Sequence, residues 1–142
     1  MPTKIELQDL AETRLQEAKS LYNSGLYDGC YYIAGYVIEL ALKARICKLL
    51  DVNEYPESGE ISRSFKTHKL DTLLVLSGLR NTFLAEGTTN PRLLSNWSLI
   101  TEWSEELRYS PLHSSSKIDA EKILSAMEDV HNGVFVWLKK HW

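Results

Sequence analysis

The sequence predicts an all-α protein: an up-and-down bundle of four to five helices around one central apolar helix at about residues 26–50. Three observations carry that expectation. From Cys30 to Leu42 the only charge is Glu39, and the apolar residues fall on nearly every side of a helical wheel. A helix that is apolar all round needs neighbours all round. Elsewhere apolar residues recur at three-four spacing, and no segment shows a convincing period-two alternation. Finally, the seven Gly and four Pro cluster between the periodic segments, which leaves long regular elements and short connections.

The first helix is expected over about Ile5–Asn23. Leu7, Leu10, Ala11, Leu15, Ala18, Leu21 and Tyr22 form its apolar face, and Asn23-Ser24-Gly25 reads as its stop signal. So tight a turn forces the central helix to pack antiparallel against it. Within the central helix, Gly35 sits mid-helix at a propensity cost of about 1 kcal/mol relative to Ala. Close backbone approach by a neighbour is the expected return. Residues 51–66, DVNEYPESGEISRSFK, form a polar connection that is long for a single domain.

Thr67 is expected to cap a third, shorter helix over residues 68–79, with Leu70, Leu73 and Leu74 on one face and Leu76 and Leu79 extending it. Residues 80–91 are ambiguous, and Glu86 to Pro91 read as a break. A fourth helix is expected over about 92–107, with Leu93, Trp97, Ile100, Trp103 and Leu107 at helical spacing. It ends at Tyr109-Ser110-Pro111, because the residue before a proline disfavours the helical region. The last helix is expected over about 118–140, with Ile123, Met127, Val130, Val134, Trp137 and Leu138 inward. Residues 1–142 fit one domain near the commonest domain size.

The net charge of −3 gives no global attraction to nucleic acid, so any RNA would be met through a local site. The central run is too short to span a bilayer, and no membrane association is expected. Cys30 and Cys47 lie on one predicted helix with Cα atoms roughly 25 Å apart, beyond disulfide reach. Two unpaired thiols and an N-terminus without an apolar signal run point to the cytoplasm. No metal-ligand spacing and no Gly-rich phosphate loop is present, so neither a metal nor a cofactor is expected. Trp97 and Trp103 are expected in the core, and Tyr27, Tyr31, Tyr32 and Tyr36 in core and interface. Arg63, Lys66, His68 and Lys69 form a basic cluster suited to phosphate. Glu39, a carboxylate in the most apolar run, must be paired, with Lys43 or with an Arg from another helix such as Arg108.

The Tyr-x-Ala-Gly-Tyr-x-Ile-Glu-x-Ala-x-Lys-Ala string from Tyr32 to Ala44, followed by His68-x-Leu70-x2-Leu73-Leu74 and a late Arg108-Tyr109, resembles the HEPN domain family. The resemblance runs roughly from Leu7 to Trp137. It implies a helical bundle, usually a homodimer. It further implies a non-catalytic module that binds RNA or nucleotide or a nucleotidyltransferase partner, or else a metal-independent, toxin-like endoribonuclease. Catalytic members carry an Arg-x4-6-His motif at the dimer interface. Two stretches match: Arg108 with His113, near where the family places its motif, and Arg63 with His68. In such chemistry His moves a proton near neutral pH and Arg stabilises charge on the reacting phosphate. Tyr109 departs from the polar residue usual after the Arg, and Pro111 prevents a continuous helical turn across the motif. With the acidic charge balance, those departures favour the binding module. Nuclease chemistry by Arg108 and His113 is the alternative.

Overall fold

Thr3 opens the first helix with a capping box: its hydroxyl accepts the Glu6 N–H at 3.2 Å, and the Glu6 carboxylate accepts the Thr3 N–H at 2.8 Å. These residues belong to a computed structural model that describes residues 1–142, the side chain of Ile61 excepted. Helix α1 spans Lys4–Asn23 and buries Leu7, Ala11, Leu15 and Ala18. It ends at Ser24 and Gly25, the latter at φ +76°, a conformation glycine adopts without cost. Helix α2, Tyr27–Leu50, lies along α1, and later helices pack on its other sides. Val37, Ile38, Ala41, Leu42, Ala44 and Ile46 are completely buried on it. Each buried Val, Leu or Ile contributes about 1.5–3 kcal/mol. Cys30 and Cys47 are both free and buried.

The long connection after α2 is tied down. The Lys4 N–H reaches the Asn53 carbonyl, the Tyr55 N–H reaches the Pro2 carbonyl, both at 2.9 Å, and an isolated bridge pairs Thr3 with Glu54. Tyr55 is fully buried, and its hydroxyl donates to the Phe65 carbonyl at 2.8 Å. One 3-10 turn, Glu60–Ser64, interrupts the connection.

Helix α3 spans Leu70–Leu76 and buries Leu70, Leu73 and Leu74. Thr67 accepts the Lys69 N–H at 3.1 Å, but Lys69, not Thr67, precedes the first helical residue. Helix α4, Arg80–Thr89, occupies the ambiguous stretch and crosses the expected break. Gly87 is buried there, and a Cβ on it would lie 2.3 Å from Leu94. Pro91 then sits in the first turn of α5, Pro91–Ile100, where its missing N–H is harmless.

Two expectations are corrected here. The fourth helix stops at Ile100, and Glu105–Tyr109 forms a separate 3-10 turn. Trp103 leaves the helical path to pack against Gly35, and Ser104 caps the 3-10 turn by accepting the Glu106 N–H at 3.1 Å. The last helix is two: α6, Lys117–Glu128, and α7, Val134–Lys139. Between them the Asp129 carboxylate accepts the N–H groups of His131 and Asn132, at 3.0 and 2.7 Å. Val130 is carried outward by that turn and is exposed, while Ile123, Met127, Val134, Trp137 and Leu138 are buried as expected. The result is all-α: among the described residues there are seven α-helices, with α2 central, and no strand. Among the described residues no helix is long and apolar enough to cross a membrane.

Candidate functional site

Glu39 lies on the second half of α2 and is 2% exposed. Its Oε1 is ion-paired with Lys43 Nζ at 3.1 Å, one helical turn on, and lies 2.5 Å from Nδ1 of His68. Lys43 also reaches Glu57 at 3.4 Å and lies over the Tyr55 ring, 5.0 Å from its centroid. The buried carboxylate is thus met by one cation from its own helix and one imidazole from the connection just before α3. Its other oxygen, Oε2, is buried without a hydrogen-bond partner among the described residues. The expected pairing with Lys43 is present; among the described residues Arg108 is not a partner of Glu39.

A wall of aromatic residues stands beside this network. Tyr36 meets His68 edge-on at 6.5 Å and Trp103 at 4.9 Å between centroids. Burial, helped by the Tyr32 hydroxyl 3.2 Å away, pushes the Tyr36 phenol up to about 12. Trp103 donates from Nε1 to the Tyr32 carbonyl at 2.9 Å, and Trp97 to Asp71 at 3.0 Å. Both indoles are buried, as expected, and serve the core.

His68 also lines a cavity of about 260 Å³ between the start of α3 and the segment after α5, together with Lys69, Asp71, Thr101, Trp103 and Glu105. Arg63 lies in the 3-10 turn of the connection, and Lys66 follows it. Arg63, Lys66 and Lys69 are all exposed, and none forms an ion pair among the described residues. By contrast Arg14, Lys19, Lys43 and Lys139 are each held by a carboxylate. The basic stretch 63–69 therefore offers its charge to solvent, except that His68 is tethered from below.

Arg108 and His113 sit elsewhere, around the second 3-10 turn. The Arg108 guanidinium lies over the Tyr109 ring, 4.8 Å from the centroid. Hydrogen bonding to Tyr109, and less to Tyr32, raises its pKa further above the usual value. His113 is exposed and holds φ +64°, an uncommon conformation for a non-glycine residue. Asp28 fixes it there, accepting the N–H groups of His113 and Ser115 at 2.5 and 2.8 Å. Among the described residues no hydrogen bond joins Arg108 to His113.

A groove of about 570 Å³ lies between α5 and α6 and contains none of the candidate site residues. No three His, Cys, Asp or Glu side chains converge as a metal would require among the described residues. Two features were not found from the sequence. The Glu39–His68 contact joins residues 29 apart, and its one signal was the lone acid in the apolar run. Asp28 as the anchor of the 113–115 loop left no signal in the local pattern.

Comparison with known proteins gives one match. The family model of the HEPN domain covers residues 6–137, nearly the whole chain. No curated protein and no solved structure matches. A family match of that extent, over a chain whose architecture is all-α, makes the chain a member of the HEPN domain family.

Proposed function

We propose that this chain is a non-catalytic RNA-binding module, homodimeric, whose phosphate contacts come from Arg63, Lys66, His68 and Lys69. The observation that carries the reading is the charge of that stretch: three cations within seven residues stand exposed, with no carboxylate paired to them among the described residues. Phosphate neutralisation supplies most of the affinity of such modules, and it needs cations not already engaged in internal pairs. The adjoining cavity offers Asp71, Thr101 and Glu105 as acceptors for sugar hydroxyls or base amino groups. A net charge of −3 does not oppose this, because screening confines the interaction to the local surface.

Absence of catalysis is supported by the engagement of the alternative pair. Arg108 stacks on Tyr109, and the His113 backbone is held by Asp28. Homodimerisation is supported by the exposed Tyr109 and Leu112 beside that pair, 77% and 86% accessible, an apolar rim suited to a second copy. A nucleotidyltransferase partner is the rival occupant of the rim.

Fluorescence anisotropy with a short labelled single-stranded RNA in EDTA tests the reading. Binding is expected, with the RNA intact. Lys66→Ala/Lys69→Ala weakens it and makes the log-log salt dependence shallower by about 0.7 for each phosphate no longer neutralised. RNA cleavage in EDTA that disappears in His113→Ala protein would replace this reading with the nuclease one. Light scattering at micromolar concentration reads the dimer, and a monomer contradicts it.

A further inference from the structure

His68 differs from the other three residues of its cluster because it has a partner inside the protein. Its side chain is 46% exposed, while that of Glu39 below it is 3% exposed. The ring thus spans from a buried carboxylate to solvent. Glu39 Oε1 is ion-paired with the Lys43 ammonium at 3.1 Å, and an ionised carboxylate can only accept, so the hydrogen in the His68 contact resides on Nδ1. The neutral ring then presents an Nε2 lone pair outward. A phosphate oxygen is itself an acceptor and finds no donor there. His68 can hold a phosphate only when Nε2 is protonated as well.

We propose that His68 is a proton-coupled phosphate ligand: RNA binding beside Arg63, Lys66 and Lys69 draws one proton from solution onto Nε2, which donates to a phosphate oxygen. The proposal rests on the reading that this stretch contacts RNA. The only bond made is N–H on Nε2, and the proton comes from buffer or water. Glu39 acts as a positioning residue: it fixes which nitrogen faces inward and stabilises the imidazolium once it forms.

The charges around His68 come from several elements. On α2 are Glu39 and Lys43, with Tyr36 edge-on to the ring. On the connection is Glu57, bound to Lys43. Lys69 precedes α3, Asp71 lies on it, and Glu105 opens the second 3-10 turn, all three sharing the cavity with His68. Around the ring the carboxylates of Glu39, Asp71 and Glu105 stand in balance with Lys69 and the neighbouring cations. An arriving phosphate adds negative charge at Nε2 and tips that balance.

The test is titration calorimetry of the full chain with a short single-stranded RNA, near neutral pH, in two buffers of different ionisation enthalpy. Their heat difference gives the protons taken up. Net proton uptake on RNA binding is expected in the wild type and none in His68→Gln protein. Wild-type affinity should fall by up to about tenfold per pH unit above neutrality for one linked proton, and converge on that of His68→Gln. The glutamine amide can still donate to Glu39, and far-UV circular dichroism checks that the variant is folded. Nitrogen NMR of the His68 ring gives a second readout: Nε2 should change from lone-pair to protonated when RNA is added. Equal heats in both buffers, or uptake that persists in His68→Gln, overturns the proposal. If binding depends on Lys66 and Lys69 but carries no proton, the RNA site stands and this proposal alone falls. If the wild type binds no RNA at any pH, both fall.

Discussion

Replacing Gly35 by Ala would place a methyl group where the Trp103 indole now lies. A Cβ built on Gly35 meets three indole atoms at 2.0, 2.1 and 2.2 Å, against a comfortable carbon–carbon distance of about 3.5–4.0 Å. The indole must retreat. It is 4% exposed, it donates to the Tyr32 carbonyl at 2.9 Å, and it packs edge-on against Tyr36 at 4.9 Å, so it cannot move without cost. Overpacking costs about 1–3 kcal/mol, and the hydrogen bond and aromatic pair about 1 kcal/mol each. Helix propensity returns about 1 kcal/mol in favour of Ala. The net expectation is a loss of about 2–4 kcal/mol, or roughly 4–16 °C in Tm for a chain of this size. Thermal unfolding followed by far-UV circular dichroism and tryptophan emission measures it. In the double variant Gly35→Ala/Trp103→Ala the costs should be less than additive, because the clash is shared. A Tm that is unchanged or raised in Gly35→Ala would show that propensity alone governs the site and would refute the packing argument.

Gly133→Ala should cost more than a surface glycine change, at least about 2 kcal/mol, since its Cβ would meet backbone atoms of Met127 and Asp129 at 2.5–2.8 Å; chemical denaturation checks this, and a neutral result contradicts it. Burial pushes the Cys30 thiol up to about 11 and raises Cys47 as well, so both should resist alkylation in the native protein at neutral pH and react once it unfolds. At high pH the protein should lose stability through its tyrosines. A hydrogen bond to Glu121 takes Tyr22 up to about 12, burial takes Tyr36 to about 12, and burial raises Tyr55 further. The ordinary value is 10.0, so each neutral phenol contributes stability that is present below about pH 10 and is lost as pH rises through about 12. Tyrosinate absorbance should therefore rise late in the native protein; titration of every tyrosine near pH 10 would contradict it.

Where the sequence could be read well, local pattern and packing agreed. Helix α1 and helix α2 fall within about a residue of expectation, because an amphipathic stripe, a Gly stop and an all-round apolar run leave little choice. The small residue Gly35 announced a close approach, and Trp103 supplies it. The failures came where packing kept its spacing after the backbone had left the helix. Trp103 continued the apolar series after Ile100, yet it packs from an irregular segment. Val130 fitted the inward stripe, but the Asp129 carboxylate captures two backbone N–H groups and turns the chain. Asn132-Gly133 is a turn signal that the expected helix over about 118–140 passes over. Helix α4 was hidden by Gly87 and two Thr; Gly87 is helical because Leu94 fills the space beside it.

The candidate site was legible in parts. Glu39 demanded a partner on grounds of burial alone, and Lys43 was within helical reach. His68 was not readable as the second partner, because nothing local couples residues 29 apart across a polar connection. Arg63, Lys66, His68 and Lys69 stood out as a cluster, but only the structure separates the three solvent-facing cations from the one tethered imidazole.

RNA binding in EDTA, measured by anisotropy across a salt series for wild-type and Lys66→Ala/Lys69→Ala proteins, tests most directly the claim that the 63–69 stretch is the functional surface. The expected result is saturable binding of intact RNA by the wild type and, in the variant, weaker binding with a shallower salt slope. Binding of equal strength and equal salt slope in the two proteins would contradict it, as would no binding by either.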